Sequence, residues 1–123
     1  MIPALIRALL EGREFPATDG EQVRDYLHVD DVATGLATVV ASGVQGVFNI
    51  SSGEGIRVRH IMQMIGDQIG RAELIRFGER PSREWEPQSI CGDNSRLRSL
   101  GWRSRRDLTD GLRQTIEYWR EKP

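Results

Sequence analysis

The strands this sequence can form are few and short, and that limit governs what the rest of the chain must do. Four stretches carry β-favouring runs: Phe15 to Ala17, Val23 to Val29, Val47 to Ile50 and Leu74 to Phe77. Strands of that length make a thin sheet, which has to lean on helices to bury a core. The helices are plainer. Ile2, Leu5, Ile6, Leu9 and Leu10 recur at helical spacing around Pro3, with Gly12 just past the end. Val58, Ile61, Met62, Ile65 and Ile69 repeat the pattern up to Gly70. Leu108, Leu112, Ile116 and Trp119 line a last helix that begins near Asp107, where Asp107 and Asp110 have capping-box-like spacing.

Between these lie weaker signals. A helix is predicted from Val32 to Ala41, capped by Asp30 or Asp31, and its small residues Ala33, Gly35 and Ala37 allow a neighbour to come close. Val47 to Ile50 predicts a compact, buried strand, and Gly78 to Gly92 a loop without periodicity. Asp93 is expected to cap a short helix ending at Leu100. The order implies one α/β domain over residues 1–123, with a few short strands and about five helices.

Charge and cysteine content narrow the function. A net charge of −1 gives no pull toward nucleic acid or an anionic membrane. Lys122 is the only lysine; the other basic residues are arginines, whose planar forks suit phosphate or carboxylate, although genomic bias gives the same composition. A single cysteine, Cys91, excludes an internal disulfide and a zinc site built on paired cysteines. His28 and His60 lack metal-ligand spacing, and no apolar run is long enough to span a bilayer. Met1-Ile2-Pro3 brings no basic leader, so a cytoplasmic location is the expectation. The first helix starts so abruptly that a preceding segment is expected as well.

One string is more specific than any of this. Gly20-Glu21-Gln22-Val23-Arg24-Asp25-Tyr26-Leu27-His28-Val29-Asp30-Asp31-Val32-Ala33 resembles the G-x-Q-x-R-D-Y-x-H-V-x-D-x-A stretch of the extended short-chain dehydrogenase/reductase family. Phe48-Asn49-Ile50-Ser51-Ser52-Gly53 resembles that family's F-N-I-G-S-G strand and loop, and Arg83-Glu84-Trp85-Glu86 its R-x-G-D/E diphosphate loop. Asp93-Asn94-Ser95, Leu100-Gly101-Trp102 and Leu108-Thr109-Asp110-Gly111-Leu112 resemble its ending, all in the family's order.

The resemblance implies an NAD-dependent epimerase or dehydratase acting on sugars attached to a nucleoside diphosphate. In that family the N-terminal half supplies a glycine-rich dinucleotide turn and a catalytic Tyr-x-x-x-Lys. Neither is expected in this chain, so it is read as the C-terminal, substrate-binding portion with the Rossmann core missing. No catalytic residue and no cofactor are assigned to this chain alone, while NAD or NADP is implied for the full-length family. Arg24 and Arg83 are implied to reach the substrate's diphosphate and Glu86 the ribose hydroxyls, roles that guanidinium and carboxylate chemistry can fill. The Phe15–Ala17 strand would lie along the base, with Ala17 standing near where many relatives carry an aromatic. Arg24 pairing with Asp25 or Asp19, and Arg80 replacing Arg83, remain open. The sequence departs from the pattern at Arg57, usually a helix-capping Ser or Thr, and at Trp85, usually a small residue. Two further departures are Ser51, usually glycine, and Gly92, often alanine.

The implied partner is a nucleoside diphosphate sugar. Residues 24–41 are expected to pack on the absent dinucleotide-binding half; alone, the chain would expose that surface and form a homo-oligomer. Two other readings stand beside this one. The chain could be a standalone, non-enzymatic nucleotide-sugar-binding or interaction module. It could also be a reductase of a non-nucleotide substrate, against which Arg83 argues.

Overall fold

The computed structural model describes residues 1–122. Along the chain run α1 (Ile2–Leu10), β1 (Phe15–Pro16), β2 (Val23–Asp25), α2 (Val29–Ser42), β3 (Gly55–Arg57) and α3 (Val58–Ile69). A 3-10 turn at Ala72–Leu74 leads to β4 (Ile75–Arg76), β5 (Ser89–Ile90), α4 (Ser95–Ser99) and α5 (Leu108–Arg120).

Three helices make the core. Leu5, Ile6 and Leu9 of α1 meet Ile61 and Ile65 of α3 and Leu112 and Ile116 of α5 in one buried cluster. Each such side chain contributes about 1.5–3 kcal/mol through burial. The ends follow the sequence signals: Gly70 closes α3 in the left-handed conformation at φ 78, and Asp107 accepts the Asp110 N–H at the start of α5. The other half of the capping box is not made; the Asp110 carboxylate accepts from Arg113 and Gln114 instead.

The strands form two small sheets around this core. β1 and β4 pair in parallel, Phe15 opposite Ile75. In the second sheet β2 is central, antiparallel to β3 and parallel to β5. β5 lies inside the stretch expected to be loop, because two residues become a strand only when a distant partner offers them a ladder.

Four other expectations need correction. The strand predicted over Val23 to Val29 stops at Asp25, and α2 already begins at Val29. Its cap is neither Asp30 nor Asp31 but His28, whose Nδ1 accepts the Asp30 N–H at 3.2 Å. Asp31 is buried one turn in, where its carboxylate accepts the backbone N–H groups of Arg105 (3.0 Å) and Arg106 (3.1 Å). Residues 47–50 form no strand, since no described strand pairs with them; polar struts fix them instead, Arg96 donating to the Val47 carbonyl at 2.8 Å and Asn49 to that of Asp93 at 3.1 Å. Asp93, finally, stands one residue before the α4 cap Asn94 and accepts the Ser95 N–H.

α2 is thus held from one side only. Gly35 lets it approach Ile50, where a Cβ would stand 3.0 Å from the isoleucine's Cγ2. On the other side Val29, Leu36 and Val40, with Val44 and Val47 beyond, are exposed. Among the described residues no helix is long and apolar enough to cross a membrane.

Candidate functional site

Arg24 sits at the middle of β2, opposite Ile56 on one side and Ile90 on the other. Its Nη1 donates to the Val23 carbonyl at 2.7 Å, which fixes the guanidinium plane. Its Nη2 donates to Glu86 Oε1 at 2.8 Å. The pair is only partly solvated, the side chains being 19% and 31% exposed. Glu86 arrives there by a turn in which its N–H donates to the Arg83 carbonyl at 3.0 Å, and the Val23 N–H then donates to the Gln88 carbonyl to start the β2–β5 pairing. A backbone ladder therefore sets the reach of Glu86.

Two of the sequence-derived site residues, Arg24 and Glu86, thus meet directly. Arg83 belongs to the same turn, but its exposed guanidinium lies 5.4 Å from the Trp85 ring centre. Ala17 is apart from all three. Its side chain is in the core, its N–H donates to the Arg76 carbonyl and its carbonyl accepts the Arg80 N–H.

The residue that sequence reasoning missed is Asp25. Alternation along β2 turns it to the face opposite Arg24. There its carboxylate accepts the N–H (2.8 Å) and hydroxyl (2.7 Å) of Ser52 and the N–H groups of Gly53 (2.9 Å) and Gly92 (3.2 Å). Burial pushes its pKa up, but these donors outweigh burial and hold it below the ordinary carboxylate value. Cys91 faces the same carboxylate at 3.6 Å; desolvation and the charge of Asp25 push its pKa up, which disfavours the thiolate. Gly92 also answers Ser51: a Cβ at position 92 would stand 2.4 Å from the buried, unpartnered Ser51 hydroxyl. The two positions that depart from the pattern the resemblance implied are therefore in direct contact.

A cleft of about 620 Å³ lies away from the ion pair. It opens between Tyr26–His28 and the start of α5, with Ile2, Leu27 and Leu112 among its apolar walls and Arg106 at its rim, and neither Arg24 nor Glu86 lines it.

One expectation about motifs needs correction: a Tyr-x-x-x-Lys spacing does occur, at Tyr118 and Lys122. It lies at the end of α5, where the Lys122 ammonium stands over the exposed Tyr118 ring at 5.1 Å and neither residue lines the cleft. The glycine-bearing turn into α3 does not offer free amides to a dinucleotide's pyrophosphate. In this turn, residues 53–58, the first amides of α3 are already used: Val58 donates to Gln22 at 3.0 Å and Arg59 to Gly20 at 2.8 Å. A pyrophosphate needs those donors free. Among the described residues no His, Cys, Asp and Glu group is placed to hold a metal ion.

The chain resembles known proteins in both sequence and fold. The model of the family described as GDP-mannose 4,6 dehydratase matches residues 1–115. A trifunctional UDP-glucose 4,6-dehydratase/3,5-epimerase/reductase of Arabidopsis thaliana is 32% identical over the whole chain, which covers 19% of that protein. A dTDP-glucose 4,6-dehydratase from an Actinoplanes species is 32% identical over 98% of the chain, 38% of its own length. Among solved structures, the dTDP-glucose 4,6-dehydratase of Streptomyces venezuelae with NAD and TYD bound superposes with a TM-score of 0.87 at 30% identity, over 98% of this chain and 38% of that one. The UDP-glucose 4-epimerase of Thermotoga maritima with UDP-glucose gives 0.85 at 29%, over 98% and 39%. The chain thus spans less than two fifths of the length of these curated relatives.

Proposed function

We infer that this chain, which belongs to the GDP-mannose 4,6 dehydratase family, is the part of a nucleotide-sugar dehydratase or epimerase that grips the nucleoside diphosphate. The observation that carries this reading is the meeting of Arg24 and Glu86, 62 residues apart, at 2.8 Å on the central strand of a sheet. A guanidinium held by a backbone carbonyl is aimed in advance at phosphate oxygens, and a neighbouring carboxylate can accept from ribose hydroxyls. Arg83, in the turn that carries Glu86, is the second cation for the diphosphate. The solved relatives hold NAD with a nucleotide, or UDP-glucose, which supports the ligand class.

On this reading NAD or NADP and the redox chemistry belong to the dinucleotide-binding half of the full-length enzyme. The outward face of α2, with Val29, Leu36 and Val40, is where that half packs, and the unpaired run at 47–50 lies beside it. An apolar face of this kind rarely stays bare, so the chain purified alone self-associates through it.

Calorimetric titration with UDP, TDP, GDP and CDP tests the grip. Saturable binding to at least one is expected, weakened about tenfold or more by Arg24→Ala and less by Arg83→Ala. Equal binding by the wild type and the Arg24→Ala variant would overturn it.

A further inference from the structure

The ion pair that carries the proposed grip also stands in its way. Without a ligand, two of the five Arg24 N–H donors are engaged, one on the Val23 carbonyl and one on Glu86, whose carboxylate neutralises the guanidinium. A diphosphate that takes the Nη2 edge competes with the Glu86 carboxylate for the same positive charge and repels it. A displaced carboxylate, half out of water, then needs a new donor. Bare pyrophosphate offers at most a lone P–OH and, with its higher negative charge, repels the carboxylate. A nucleoside diphosphate brings a ribose, whose hydroxyls are donors of the right kind and lie next to the phosphates by covalent connection.

Resting on the nucleotide reading, we propose that Glu86 is an exchange partner: it neutralises Arg24 in the empty site and passes to the ribose when a nucleotide arrives, so that the site favours nucleotides over bare diphosphate. The backbone supports such an exchange. Glu86 is in a turn outside the core, anchored at Arg83 on one side and at β5 on the other, so its side chain can swing while the β2–β5 ladder stays in place. Phosphate affinity and sugar recognition are thereby coupled through one carboxylate, and Glu86 acts as a specificity-determining residue rather than one ligand contact among several.

The test compares inorganic pyrophosphate with UDP on the wild type, Glu86→Gln and Arg24→Ala. Glu86→Gln removes the competitor, so pyrophosphate binds about three- to fivefold more tightly, the factor expected when a partly exposed ion pair no longer has to open. UDP gains less than that or loses affinity, because the ribose has lost its carboxylate. The preference for UDP over pyrophosphate therefore falls by about fivefold or more. An unchanged preference with binding intact overturns the exchange and leaves the grip standing. Binding that survives undiminished in Arg24→Ala, or no binding of either ligand by any variant, overturns the grip and the exchange together. Hydrogen exchange of residues 78–88 in the ligand-free chain gives a readout independent of affinity. Glu86→Gln should speed it while residues 58–69 stay protected, and no change there sinks the proposal.

Discussion

The three-helix core and the limb formed by α2 and residues 43–50 are built on opposite principles. In the core, Leu5, Ile6, Leu9, Ile61 and Ile65 are fully buried, and apolar contact is the adhesive. In the limb, Val40 is 80% and Val47 77% exposed, and attachment runs through polar struts: Asp31 to the 105–106 amides, Trp102 to the Thr34 hydroxyl and Arg96 to the Val47 carbonyl. A region that spends its apolar residues outward and its polar ones inward is arranged for a partner. The core is arranged to stand alone.

Three perturbations separate the two regions. The largest effect belongs to Ile61→Ala, which opens a cavity at the centre of the core and should cost about 3–4 kcal/mol in a urea titration. A cost under ~1 kcal/mol would mean that the core is less self-sufficient than its packing implies. Next comes the seam between β2 and the loops at 52–53 and 91–92, which Asp25 stitches together. Its pKa is depressed in the folded chain, so its contribution is full above its unfolded value, about 3.9, and is lost as pH falls through the lower folded value. Asp25→Asn should cost on the order of 1 kcal/mol at pH 7, allowing for its partial exposure, and should flatten the loss of stability below about pH 4. An acid limb identical to the wild type's would assign that loss to other carboxylates. The smallest effect on stability belongs to the limb's outer face. Leu36→Ser with Val40→Ser should move the unfolding midpoint by no more than about 0.5 kcal/mol, yet shift sedimentation toward the monomer. A wild-type chain that is already monomeric would break the comparison at its most exposed point.

Features set within one turn of chain could be read in the sequence. The apolar faces of α1, α3 and α5, the Gly70 stop and the Asp107 cap all follow from spacings of three or four residues, and the structure keeps them. What depended on a distant partner could not. Val47 to Ile50 has the composition of a strand, but no described neighbour pairs with it, while Ser89–Ile90 has no strand signal and pairs with β2. His28 displaced Asp30 and Asp31 as the cap because the helix begins earlier than its first apolar repeat. At the candidate site, the resemblance supplied Arg24, Arg83, Glu86 and Ala17 as names. It could not supply the ion pair between two of them, the stacking of Arg83 toward Trp85 or the burial of Ala17, all of which need the chain folded.

The contact between Ser51 and Gly92 has a practical reach. Anyone building a chimera by moving the 89–93 segment in from a relative with a side chain at the equivalent of 92 would drive a methyl into the serine hydroxyl. Position 51 must shrink in the same step. Positions 51 and 92 of this chain are therefore exchanged only as a matched pair, and the boundary of a workable exchange runs through two loops that are 41 residues apart in sequence and touch in space.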